Sequence, residues 1–132
     1  MAGDYEWKLV EALAQRLTAE SGVKVQAIAG ALPAELPEVS LQAVPVGGRT
    51  GEPGIAYPVV SLHLRTKSEG DAAILAGLIP RIVLALDAER IHEDSVNIVG
   101  MELESMPYVN FDPLNPGFFR YSCQTILTIK IG

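Results

Sequence analysis

From Phe119 to Ile131 the chain alternates with a period of two. Phe119, Tyr121, Cys123, Thr125, Leu127, Ile129 and Ile131 fall on one phase; Arg120, Ser122, Gln124, Ile126, Thr128 and Lys130 fall on the other. This predicts a strand with the first set turned inward. At about 3.4 Å per residue such a strand reaches roughly 40 Å, more than twice the usual length. A small sheet does not need that length for its own closure, so part of the strand is expected to pair with or lie against another chain.

The opening segment has the helical period instead. Leu9, Val10, Leu13, Ala14 and Leu17 form one stripe between Asp4, a candidate cap, and Gly22, a candidate stop. "VKVQAIA" then alternates as a short strand. From Gly30 to Pro58, five prolines and the cluster "VGGRTGEPG" predict a long loop region, with at most a short edge strand in "SLQAVPV". A loop of that length inside a domain is commonly functional or mobile.

"YPVVSLHLRTK" puts Val60, Leu62 and Leu64 on one face of a strand and Ser61, His63 and Arg65 on the other. Ser68 and Asp71 have the spacing of a helix-start capping box. The helix that follows gathers Ile74, Leu75, Leu78, Ile79, Ile82, Val83 and Leu86 on a broad apolar face, with a kink expected near Ala76 to Pro80. In "SVNIVGMELES" the apolar phase switches at Gly100, which predicts a bulge.

This order of elements specifies an α+β class: one domain over residues 1–132, two helices on one face of a mainly antiparallel sheet, and a long C-terminal strand. The other face is expected to be open, carrying Ser61, His63, Arg65, Glu102, Glu104, Arg120, Gln124 and Lys130 toward water or a partner.

Composition narrows the functional classes. At 132 residues and 48% hydrophobic content, the chain suits one globular core. A formal net charge of −6 with no basic run disfavours tight binding along a nucleic-acid backbone. A single cysteine, Cys123, permits no internal disulfide and suits a reducing compartment. Asp4 and Glu6 stand where a secretory leader would carry positive charge, so a cytoplasmic start is expected. The most apolar run, "AAILAGLIPRIVLALDA", is interrupted by Pro80 and Arg81, so it reads as core and no membrane span is expected.

Candidate chemistry is sparse. "VGGRTGEPG" lacks the Gly-Lys-Ser/Thr ending of a phosphate loop and leads into prolines, not into a helix. Ser61 and His63 share a strand face, but residues two apart are not expected to make a serine–histidine contact, and no nucleophile elbow surrounds Ser61. His63 and His92 are the only histidines, and "HED" reads as a solvated turn, so no metal site is expected. Glu102 and Glu104 share a face as an acidic strip. Cys123 reads as a buried thiol. No catalytic, cofactor or metal residue is assigned.

The N-terminal amphipathic helix, the Pro/Gly-rich middle, "YPVVSLHLRTKSEGDAAILAGLIPRIVLAL" and "VGMELESMPYVNFDPLNPGFFRYSCQTILTIKI" together resemble the tail terminator proteins of long-tailed bacteriophages. The resemblance implies a non-enzymatic virion protein. It would form a homo-hexameric ring that caps the tail tube, ends tube polymerisation and joins the tail to the head. The implied partners are the major tail tube protein and a head-side connector protein, with DNA passing through the ring without sequence-specific binding. The implied location is the tail neck of the virion, after assembly in the host cytoplasm.

On such a ring Arg49, Glu52, Tyr57, Arg65, Tyr108, Phe111 and Phe118 are candidates for subunit or partner contacts. Glu102 and Glu104 are candidates for a lumen-facing or otherwise exposed acidic strip. Two other readings stay open. One is a head–tail connector or head-completion protein; the other is a small ligand-binding or hydrolytic α+β domain.

Overall fold

The computed structural model describes residues 4–93, 96–112 and 114–130. Helix α1 (Asp4–Ser21) leads into β1 (Gln26–Ala29), β2 (Val39–Thr50) and β3 (Ile55–Thr66). Helix α2 (Glu69–Glu89) follows, and β4 (Ile91–Glu93), β5 (Val96–Leu103), β6 (Tyr108–Phe111) and β7 (Phe119–Lys130) complete the order. One sheet holds the strands in the order β1-β2-β3-β7-β5-β4, with β6 also paired to β7. Only the β1–β2 pair is parallel; the others are antiparallel, so the α+β expectation holds.

Both helices lie on one face of this sheet. Leu9, Leu13 and Leu17 of α1 and Leu75, Ile79 and Ile82 of α2 bury completely against Leu41, Leu62, Leu64, Ile98 and Leu127. Burial of each such side chain contributes about 1.5–3 kcal/mol. Cys123 sits in the same cluster at 2% exposure, and burial raises its thiol pKa to about 11. The inward phase of the last strand is therefore as expected.

Local signals account for the element ends. Gly22 takes φ 76° and its N–H returns to the Thr18 carbonyl, closing α1. The Ser68 hydroxyl accepts from the Asp71 N–H at 3.3 Å, while the Ser68 N–H goes to Thr66 Oγ1, so half of the expected capping box forms. Helix α2 runs without interruption through Pro80. Its buried face takes Ala72, Leu75, Ala76, Ile79, Ile82, Val83 and Leu86, whereas Ile74 lies outside at 61% exposure, contrary to the broader stripe expected. The register of β5 against β7 shifts between Ile98 and Gly100, which lets Ile98 and Met101 both face the core.

Three expectations need correction. The segment 30–58 is not mostly loop, because β2 occupies Val39–Thr50 and pairs with β3 along its length. The long C-terminal strand is not in excess of what its own sheet uses: β3 pairs with β7 on one edge, and β6 and β5 share the other. It is long because it is the central strand. Finally, Ile91–Glu93 forms β4 beside β5, where "HED" had suggested a turn.

The β2–β3 hairpin depends on one glycine. Gly48 adopts φ 139°, and a Cβ there would lie 2.6 Å from the Tyr57 carbonyl oxygen and 2.7 Å from Pro58 Cα, which are backbone atoms that cannot turn aside. Gly77, on the outer face of α2, has open space around it. Gly48→Ala is therefore expected to lower unfolding stability by about 1–3 kcal/mol. Gly77→Ala is expected to raise it by up to about 1 kcal/mol, as in any exposed helix interior. Urea unfolding of the two variants checks both signs.

Candidate functional site

Alternation along β2, β3 and β7 puts Leu41, Leu62 and Cys123 under the helices, and the intervening residues on the opposite face. Backbone pairing aligns these in rows: Ser40, Arg65 and Arg120, then Gln42, His63 and Ser122. Sequence alone suggested an open polar surface here. Of the residues expected on it, Glu102, Glu104, Gln124 and Lys130 are exposed, but Ser61 and Arg65 are buried, together with Ser40, Gln42 and Ser122, which corrects the expectation for that part of the face.

Arg65 is the centre of this buried layer. Its Nε donates to Asp112 Oδ2 at 2.5 Å and its Nη1 to Gln42 Oε1 at 2.6 Å. Gln42 in turn donates to the Gly30 carbonyl at 2.6 Å. Asp112 also receives the Asn115 side-chain amide at 3.0 Å and the Leu114 N–H at 3.3 Å, so one carboxylate organises the turn between β6 and β7. Burial acts to raise the Asp112 pKa, but hydrogen bonds from Arg65 and Asn115 outweigh it and hold the carboxyl below its ordinary value. Arg65 was a candidate for contacts between chains; its side chain is spent inside this one, at 5% exposure.

His63 lies beside that pair. Its Nε2 is 3.2 Å from Ser61 Oγ and its Nδ1 is 2.8 Å from Ser122 Oγ. The serine–histidine contact that strand geometry alone argued against is therefore present. Burial, then the Arg65 and Arg120 charges, push the His63 pKa down to about 4. A ring so held is neutral at pH 7, one nitrogen donating and the other accepting. A hydroxyl, not a carboxylate, meets Nδ1, and a base with so low a pKa has little drive to take a proton at neutral pH.

The remaining candidates separate into two groups. At the β2–β3 hairpin, Arg49 and Tyr57 are paired across the strands, with the guanidinium 4.5 Å from the ring centroid, and exposed Glu52 lies in the turn beyond. Gly48, Arg49, Tyr57, Val59, Ile126, Thr128 and Glu102 line one open trough, so the hairpin and Glu102 of the acidic strip share a surface. Glu104 is exposed just past β5, with its N–H on the Gln124 carbonyl. The second group lies around β6. Tyr108 is 55% exposed, Phe118 is half-buried under Lys67, and Phe111 pairs through its backbone with Phe119, its side chain lying outside the described residues. Among the described residues, no cluster of three His, Cys, Asp or Glu has metal-binding geometry, and no helix is long and apolar enough to cross a membrane.

Sequence reasoning missed Asp112 and Gln42 entirely. Asp112 had one available signal: Asp followed by Pro113 and Asn115 is turn chemistry, in which the carboxylate accepts from residues further on. Nothing local announced Gln42.

These protonation states give a signed pH dependence. The unfolded His63 takes a proton near pH 6.5 and the folded one only near 4, so its contribution is complete above 6.5 and is lost as pH falls toward 4. Asp112 loses its own contribution below its ordinary value of 3.8. Wild-type stability should thus fall between pH 7 and 4.5, and His63→Gln should flatten that decline. Asp112→Asn, which strands a buried guanidinium, is expected to cost about 3–5 kcal/mol at pH 7, a gap that narrows as pH drops below 3.8. Urea midpoints measured across this range check each trend.

No family model and no curated protein matches the sequence. Among solved structures, the fold is similar to a chain described as "Virion of native gene transfer agent (GTA) particle". The TM-score is 0.63 at 15% identity, covering 92% of this chain and 94% of that one. At that identity the likeness establishes a shared fold.

Proposed function

We propose that this protein is a structural component of a phage-like virion, acting at the head-proximal end of a tail as a ring of six that caps the tube, stops its growth and meets the head connector. The observation that carries the reading is the fold likeness to a virion chain over nearly the whole of both molecules. The sequence resemblance to tail terminators supports the finer role. The internal bonds of Arg65 to Asp112 and Gln42, with a histidine kept neutral between hydroxyls, support a role without catalysis.

In this role the hairpin residues Arg49, Glu52 and Tyr57, together with Tyr108 and Phe118, supply contacts to neighbouring subunits, the tube or the connector. Exposed Glu102 and Glu104 face the lumen or another open surface. Six copies carry six times the chain's formal −6, a field that keeps passing DNA from adhering.

Particles made without this protein are expected to contain tail tubes of irregular, excessive length that do not join heads, seen by negative-stain electron microscopy. Tails of normal length lacking only heads would transfer the role to a connector or head-completion protein. Regular infectious particles would reject a virion role.

A further inference from the structure

On the sheet face away from the helices, basic groups stand at both ends: Arg49 and Lys130 beside the hairpin, Arg65 and Arg120 at the end next to α2. There Arg65 and Arg120 are direct cross-strand neighbours, and Thr66 pairs with Phe119. Just beyond that pair, the Lys67 ammonium sits 5.5 Å from the centroid of the Phe118 ring. Arg65 is neutralised by Asp112. Arg120 is not: its Nε is enclosed without an acceptor, and among the described residues no carboxylate pairs with its guanidinium. Arg120 therefore keeps an unmet donor and a charge without a carboxylate partner. Glu69 and Asp71 begin α2 nearby in sequence, yet neither forms an ion pair with Lys67 or Arg120.

A half-buried arginine two residues on from Phe118 and an exposed lysine over the Phe118 ring thus stand at the same end of the sheet, in a chain whose acidic residues outnumber its basic ones by 16 to 10. We propose that this patch binds an acidic segment of a partner protein. One carboxylate engages the Arg120 guanidinium, a second meets Lys67, and an apolar side chain between them lies on Phe118. Charge matching selects this occupant. A short segment with two or three carboxylates answers two uncompensated cations, whereas a duplex needs a longer run of cations and meets the acidic remainder of the chain. The proposal concerns the isolated chain and stands whether or not the virion role is correct.

The test is fluorescence anisotropy of the intact protein at low salt, with a short labelled peptide of glutamates around one tryptophan and, separately, a short labelled DNA duplex. The peptide is expected to bind. Arg120→Gln should weaken it by about ten-fold or more, the loss of one charge-assisted hydrogen-bonded pair. Lys67→Gln, at an exposed site that leaves folding unaffected, should weaken it several-fold, and rising salt should weaken it further. Arg81→Gln, on the outer face of α2, should change nothing. The proposal is overturned by absent peptide binding, by equal loss in Arg81→Gln, or by tighter binding of the duplex through the same two residues. Concentration-dependent self-association abolished by Arg120→Gln would also overturn it, by assigning the patch to a second copy of the chain.

Discussion

A guanidinium cannot be buried without a counter-charge, and in this fold the need falls on Arg65. It lies near the end of the interior strand β3 at 5% exposure, and uncompensated burial of its charge would cost several kcal/mol. Asp112 meets that need from 47 positions along the chain, and Gln42 takes a second donor from the adjacent strand. The turn between β6 and β7 is fixed as a consequence, because Asp112 also holds Leu114 and Asn115. Phe118 and its neighbours are presented from a turn that the ion pair locks to the sheet. The same bond network reaches the Gly30 carbonyl through Gln42, tying the segment after β1 to the opposite end of the chain.

Elements with a long period were legible in sequence. The alternation in β7 and the stripe in α1 run far enough to identify both their type and their buried side, and Gly100 announced its bulge. β4 and β6 were not legible, since three or four residues give too little alternation to stand out. In β2 the composition misled: Pro45 lies past the last residue that β1 pairs, and Gly47 and Gly48 sit at a register shift, so residues that usually interrupt a ladder are tolerated within this one. On the outer sheet face the exposure of Glu102, Glu104, Gln124 and Lys130 was legible, and the burial of Ser61 and Arg65 was not. Alternation tells which residues leave the helix side, but not that Asp112 and Asn115 return to cover them.

That buried layer also bears on function. Ser61 and His63 do touch, so a list of side chains alone would suggest hydrolytic chemistry. Among the described residues, hydroxyls meet both ring nitrogens and no carboxylate bonds to the ring, so His63 bridges β3 and β7 through Ser122. The surfaces on which the proposals rest are the β2–β3 hairpin with its trough and the end of the sheet at Lys67, Phe118 and Arg120. Fold likeness does not assign a function by itself, and the virion reading is drawn from the fold together with those surfaces.

The most direct test of that reading is where the protein sits and in how many copies. Cryo-electron microscopy of assembled particles, with this chain fitted into the reconstruction, should place six copies in one ring at the junction of tail tube and head. A ring of three, five or twelve copies, or density for this chain anywhere other than that junction, would contradict the account.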